Sequence, residues 1–177
     1  MNQVKDILSA IGTAGKNEDG SYTRACYSPE YFDAVAVVEK KMKELGMKTR
    51  RDAAGNIHGF LPGSETGLKS IIIGSHLDTV PNGGLYDGAY GVAAGLELVR
   101  RLKEEGRTLR HPLEIYGFNA EESNPIGGTF GSRAVAGLVD PSQPGLADAL
   151  KSYGHTLPEI MDLKRDFKNA KCYLELH

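Results

Sequence analysis

Ile71-Ile-Ile-Gly-Ser-His-Leu-Asp-Thr-Val-Pro-Asn-Gly-Gly-Leu-Tyr-Asp-Gly-Ala-Tyr-Gly91 begins with three β-branched residues in a row, the composition of a short strand buried on both faces of a sheet. An imidazole, His76, and two carboxylates, Asp78 and Asp87, follow through a glycine-rich turn. Glycines 83, 84, 88 and 91 let the backbone turn tightly and begin a helix close to those groups. Val92, Leu96, Val99 and Leu102 then recur at helical spacing within residues 88–105, and Gly106 supplies a left-handed stop. A strand, a polar turn and an amphipathic helix in this order are the unit of a layered α/β domain.

The same alternation extends in both directions. Downstream, Leu113-Glu-Ile-Tyr-Gly-Phe118 reads as a strand that runs directly into Glu121 and Glu122. A short helix over 131–138, a loop with Pro141 and Pro144, a helix over 146–153 and a last strand over 171–176 follow, and that strand leads to His177. Upstream, residues 1–11 are weakly amphipathic. Ser28-Pro29 reads as an N-cap and first-turn proline for a helix with Phe32, Val35, Val38, Met42 and Leu45 on its buried face, stopped by Gly46. Segments 47–51 and 56–61, separated by Ala-Ala-Gly55, suggest a strand pair. The expected fold is a three-layer α/β/α domain with a mixed, largely parallel central sheet. Ligands of such sheets collect beyond the carboxyl ends of the strands, where His76, the glutamate pair and His177 fall.

A chain of 177 residues fits one domain with a sizeable core. Its formal charge of −2 makes no case for nucleic acid, and Lys40, Lys41 and Lys43 sit among acids on a solvated helix face. No apolar run approaches the roughly 18 residues of a membrane span. The start, Met1-Asn-Gln-Val-Lys-Asp-Ile-Leu8, has neither the basic head nor the apolar middle of a signal peptide, so a cytoplasmic location is expected. Cys26 and Cys172, far apart and in no CxxC pattern, read as reduced thiols. Neither GxxxxGK[ST] nor GxGxxG occurs, which sets nucleotide-phosphate chemistry aside.

The remaining chemistry is that of a hydrolytic metal site. His76, Asp87, Glu122 and His177 supply the imidazole nitrogens and carboxylate oxygens that a divalent ion takes, and Asp87, with two oxygens, is read as bridging two ions. Paired ions of this kind lie about 3.5–4 Å apart. Asp78, two residues past His76, would accept the second ring N–H of that histidine and orient it. The adjacent glutamates divide the work: Glu122 ligates, and Glu121 takes a proton from the attacking water and returns it to the leaving nitrogen. Zinc suits this set, and a shell without cysteine also accepts manganese, cobalt or nickel. Each residue has a plainer reading as well: His76 as a hydrogen-bonded strand-end histidine, Asp78 as a turn cap, Asp87 as a helix N-cap, the glutamates as a solvated strand end. His58, His111 and His155 read as surface or loop histidines, and Tyr27, Tyr31 and Phe32 as packing at a helix start. Arg133 and Asn82 read equally as site-loop supports or as plain surface residues.

Tyr27-Ser-Pro-Glu30, Asp52-Ala-Ala-Gly-Asn-Ile57, the 74–91 segment, Glu121-Glu122, Phe130-Gly-Ser-Arg-Ala134 and Leu174-Glu-Leu-His177 occur in an order that resembles the amidase/hydantoinase/carbamoylase family of the aminoacylase-like metallopeptidases. That family includes N-carbamoyl-L-amino-acid hydrolases, allantoate amidohydrolases and β-ureidopropionases. The resemblance implies that His76, Asp87 and His177 hold one ion, that Asp87 and Glu122 hold the other, that Glu121 is the general base and that Asp78 supports His76. It further implies a small carbamoyl or ureido acid substrate and a homodimer for a full-length member. Residues 1–177 would form the N-terminal portion of a catalytic domain. A dimerisation domain, the rest of the catalytic domain, the last metal ligand and the substrate-carboxylate anchor would lie beyond it. Two other readings accompany this one: an aminopeptidase, dipeptidase or N-acyl-amino-acid deacylase of the same superfamily, and an inactive fragment or half-enzyme that needs a complementing chain. Ser123-Asn-Pro-Ile126 departs from the family's usual turn after the glutamate pair.

Overall fold

The computed structural model describes residues 3–177; the first two residues of the expected 1–11 segment lie outside them. Helices α1 (Gln3–Ile11), α2 (Pro29–Glu44) and α3 (Ala89–Glu104) alternate with strands β1 (Lys48–Arg51), β2 (Ile57–Leu61), β3 (Ser70–His76) and β4 (Leu113–Phe118). Helices α4 (Phe130–Ala136), α5 (Leu146–Ser152) and α6 (Leu157–Met161), a 3-10 turn (Phe167–Asn169) and strand β5 (Ala170–Leu174) complete the order. Ser28 caps α2 as its sequence predicts, accepting a hydrogen bond from the Tyr31 amide at 3.1 Å. Helix α6 and the 3-10 turn are additions to the sequence reading. Five residues are too few to show a period, and α6 depends instead on a capping box between Thr156 and Glu159.

The sheet runs β1-β2-β4-β3-β5. Strand β3 pairs in parallel with β4 on one side and β5 on the other, whereas β1–β2 and β2–β4 are antiparallel. The sheet is mixed as expected, and its parallel pairings fall in the half that carries the candidate site. Parallel neighbours need a long crossover, and α3 supplies it between β3 and β4. Residues alternate between the two faces of the sheet. Ile73 and Ile115 face α1, α2 and α3 in the main core with Leu8, Val35, Val38, Met42, Leu96 and Val99. Ile72, Tyr116 and Phe118 pack on the other face with Val135 of α4. A third cluster, with Ile126, Phe130, Leu146, Leu150 and Ile160, seats α5 and α6.

One histidine departs from its sequence reading. His58 is not a free surface residue: it lies half-buried on β2, with Nε2 2.8 Å from the buried carboxylate of Glu114 on β4. Arg165 engages the same carboxylate, with Nη2 2.7 Å from Oε1. His111 is half-buried, with Nδ1 2.8 Å from the Lys69 carbonyl, and His155 rests against the Tyr27 ring at 5.4 Å. Tyr31 is fully buried and Tyr27 stacks on Tyr153, so both pack as expected. Cys26 is buried, Cys172 is exposed, and both are free thiols. Among the described residues no helix is long and apolar enough to cross a membrane.

Candidate metal centre

The last residue of β3 is His76, and its ring is nearly sealed, at 3 % exposure. Nδ1 lies 2.9 Å from the backbone carbonyl of Asp78. A carbonyl only accepts, so Nδ1 carries a ring proton, and in the neutral ring Nε2 presents a lone pair. That lone pair meets other donors: Nε2 of His177 at 3.2 Å, Oδ1 of Asp87 at 3.8 Å and Oε1 of Glu122 at 3.8 Å. His177 Nε2 is 3.7 Å from the same Asp87 oxygen. The ligand atoms of His76, Asp87 and His177 all lie within 4.8 Å of one another. Converging nitrogen and oxygen lone pairs repel unless a cation sits among them, so the donor set fits a divalent ion.

Different elements deliver these groups. Asp87 comes from the turn before α3, whose N-cap position is taken by Gly88 and not by Asp87. His177 stands three residues past β5, whose parallel pairing with β3 brings the chain terminus beside the end of that strand. Glu121 and Glu122 follow β4 across a kink at Ala120, whose φ of 57° is unusual for a residue with a side chain. Hydrogen bonds hold the kink in place: Phe130 N to Ala120 O at 2.9 Å, Gly131 N to Asn119 O at 3.0 Å and Thr129 N to Glu121 O at 2.9 Å.

Beyond the kink the glutamates part. Glu122 turns toward His76 and Asp87, and burial followed by the adjoining Asp87 carboxylate pushes its carboxyl above the usual range. Glu121 turns toward the start of α4, where Ser132 donates its backbone N–H to one carboxylate oxygen and its hydroxyl to the other, each at 2.7 Å. Burial raises the Glu121 carboxyl, and the two Ser132 hydrogen bonds oppose that rise. Such a group is better matched to a proton transfer near neutrality than an exposed glutamate. Glu121, Glu122, His76, His177, Thr129 and Ser132 line one open cavity of about 560 Å³. An apolar cavity of about 270 Å³ adjoins it and shares Phe118, Ser132, Tyr173 and Glu175.

Asp78 supports the site by a different route from the one its spacing suggests. Its carboxylate lies 3.7 Å from His76 Nδ1, and the ring bonds the main-chain carbonyl instead. The carboxylate accepts the backbone amides of Glu121 at 3.2 Å and Glu122 at 3.0 Å, tying the end of β3 to the glutamate pair. Ser132 was not singled out from sequence, although it lies inside the Phe130-Gly-Ser-Arg133 motif. Arg133 of that motif reaches only back to Thr129 O, at 3.3 Å. Asn82 accepts from Asn17 at 3.1 Å and fastens a surface turn.

Residues 56–152 match peptidase family M28, a metal-dependent family. The chain is 36 % identical over 96 % of its length to an N-carbamoyl-L-amino acid amidohydrolase of Geobacillus stearothermophilus, and covers 44 % of that protein. It is 31 % identical over 98 % of its length to the allantoate amidohydrolase of Escherichia coli K12, again covering 44 %. A hydantoinase/carbamoylase family amidase from Burkholderia ambifaria superposes with a TM-score of 0.74 at 32 % identity, over 90 % of this chain and 39 % of that one. The chain thus spans less than half the length of these relatives. With more than half of its residues matched, the chain belongs to peptidase family M28, and it is similar in fold to a solved hydantoinase/carbamoylase family amidase.

Proposed function

We propose that this chain carries the metal-binding half of a binuclear amidohydrolase that cleaves a linear C–N bond of an N-carbamoyl amino acid or an allantoate-like ureido acid. The observation that carries the reading is the convergence of His76 Nε2, Asp87 Oδ1 and His177 Nε2, with Glu122 beside them and Glu121 lining the same cavity. His76, Asp87 and His177 would hold one ion, and Asp87 with Glu122 the other; when bound, zinc or a similar ion polarises the scissile carbonyl and lowers the pKa of water toward about 7. Glu121, steadied by Ser132, takes the proton of the attacking water and returns it to the departing nitrogen. The C–N bond then breaks, and a carbamoyl substrate yields the amino acid and carbamate, which falls to carbon dioxide and ammonia. The names of the relatives, amidohydrolases for carbamoyl amino acids and for allantoate, support this substrate class over dipeptides.

The test measures bound metal and turnover together. A full-length protein that contains this chain is purified and assayed for metal content by mass spectrometry and for hydrolysis of N-carbamoyl amino acids, allantoate and dipeptides, alongside Asp87→Ala. The expected result is divalent metal in the unaltered protein, its loss in the variant, and turnover of carbamoyl or ureido acids in the metal-loaded form. A protein without metal whose turnover survives Asp87→Ala would overturn the reading, and hydrolysis of dipeptides alone would reassign the substrate.

A further inference from the structure

We infer that Arg24 is a positioning residue, one that sets the orientation of His76 by bracing the two peptide planes on either side of Asp78. The inference rests on the metal-dependent reading above and concerns how this chain builds that site.

Arg24 is fully buried, and its Nη2 has no hydrogen-bond partner among the described residues. A buried cation is costly, and an apolar side chain of similar length would fill the same space without that cost. What the arginine side chain adds at the end of β3 is one directed hydrogen bond, which joins two made by the main chain of the same residue. Its Nε donates to the Leu77 carbonyl at 2.8 Å, which holds the Leu77–Asp78 peptide plane. Its backbone carbonyl accepts the Thr79 amide at 3.0 Å, which holds the Asp78–Thr79 plane. Its backbone amide donates to Thr79 Oγ1 at 2.9 Å, closing the clamp. A weaker contact, Nη1 to Ala14 O at 3.4 Å, anchors the guanidinium from behind.

The second of these planes matters most. Its N–H belongs to Thr79 and bonds Arg24, while its C=O belongs to Asp78 and accepts the Nδ1 proton of His76. Rotation of that plane would release the imidazole and turn its Nε2 lone pair away from Asp87 and His177. Asp78, held on both flanks, also carries the carboxylate that binds the amides of Glu121 and Glu122. One buried residue, its main chain on the Asp78–Thr79 plane and its side chain on the Leu77–Asp78 plane, therefore bears on the histidine and on the glutamate pair together.

The test uses the purified 177-residue chain stripped of metal. Zinc is titrated calorimetrically into the unaltered chain, Arg24→Lys, Arg24→Met, Thr79→Val and a control, Leu96→Ala, which weakens the core under α3 away from the strand end. Circular dichroism reports folding. In parallel, long-range proton–nitrogen spectra of the metal-free chain report which ring nitrogen of His76 carries the proton. The Arg24 variants are expected to bind zinc 10- to 100-fold more weakly, the loss typical when groups that orient a ligand are removed. They should also show mixed His76 tautomers where the unaltered chain shows Nδ1–H alone. Leu96→Ala should melt earlier yet bind zinc within about threefold of the unaltered chain. Folded Arg24 variants with unchanged zinc affinity and tautomer would overturn the inference, as would an equal zinc loss in Leu96→Ala. Should both Arg24 variants fail to fold, Thr79→Val decides on the same criteria, with about tenfold weaker binding supporting the brace. An unaltered chain that takes up no zinc would count against the metal reading, while the tautomer spectra would still decide the role of Arg24.

Discussion

Gly88 shows how closely a single residue confines this site. Its φ is +61°, and a Cβ built there would lie 2.4 Å from Cδ2 of His76, so the imidazole occupies space that only glycine leaves free. Gly88→Ala is expected to weaken zinc binding at least tenfold and to lower stability by roughly 1–2 kcal/mol through its left-handed backbone; zinc titration and thermal melting check the two effects. Unchanged zinc affinity would mean that the ring can shift without consequence. Glu121 invites a different separation. Its carboxylate takes both hydrogen bonds from Ser132 and holds none of the convergent donor positions. Glu121→Gln in the metal-loaded, active enzyme should keep its metal content and lose about 10²- to 10⁴-fold in kcat. Loss of the metal with the activity would make Glu121 a ligand instead of a proton carrier.

At the level of elements, the site depends on the approach between α3 and the segment after β5. Gly91, in the first turn of α3, faces that segment so closely that a Cβ would lie 2.2 Å from the Leu176 carbonyl. Gly91→Ala should therefore push residues 175–177 outward and withdraw His177, and its Cβ, 2.8 Å from that of Ser75, also presses on the end of β3 beside His76. If so, Gly91→Ala and His177→Ala each weaken zinc binding, and the double variant is little worse than Gly91→Ala alone, because that substitution already withdraws His177. Additive losses in calorimetric titration would show that the helix and the terminal histidine act independently. The kink at Ala120 is another product of contacts between elements. Three backbone bonds from residues 129–131 hold a conformation that an isolated Asn-Ala-Glu-Glu stretch would not favour.

Across the whole molecule, Glu114 joins parts of the chain that are far apart in sequence. It sits on β4 at 3 % exposure and is engaged by His58 from β2 and Arg165 from the stretch before β5. Burial opposes its ionisation, yet the hydrogen bonds from His58 and Arg165 outweigh burial and hold the carboxyl well below the usual range. A depressed carboxyl stabilises the fold fully above its unfolded pKa of about 4.3. That contribution fades as acid carries the pH down toward the folded value. Glu114→Gln is expected to cost roughly 3 kcal/mol at neutral pH, the lower end for breaking a buried pair. The gap between the unaltered chain and the variant should stay wide near pH 5 and narrow steadily below about pH 4. Urea denaturation across that range measures it, and a gap independent of pH would show that folding does not depress the Glu114 carboxyl.

Local pattern in the sequence was sufficient for much of this protein. The helical spacing of Val35, Val38 and Met42 and of Val92, Leu96 and Val99, together with the apolar run at Ile71, determined the main elements, because hydrophobic periodicity is a property of neighbouring residues. The types and order of His76, Asp87, the glutamate pair and His177 likewise determined the kind of chemistry to expect. Tertiary structure alone decided that β5 lies beside β3, which brings His177 within 3.2 Å of His76 although 101 positions separate them. It also decided that the Asp78 carbonyl orients the ring while the carboxylate holds the glutamate amides, that Ser132 clamps Glu121, and that His58 is paired with Glu114. Strand order, peptide-plane orientation and the burial of a charge depend on contacts between distant segments, and those contacts leave no period along the chain.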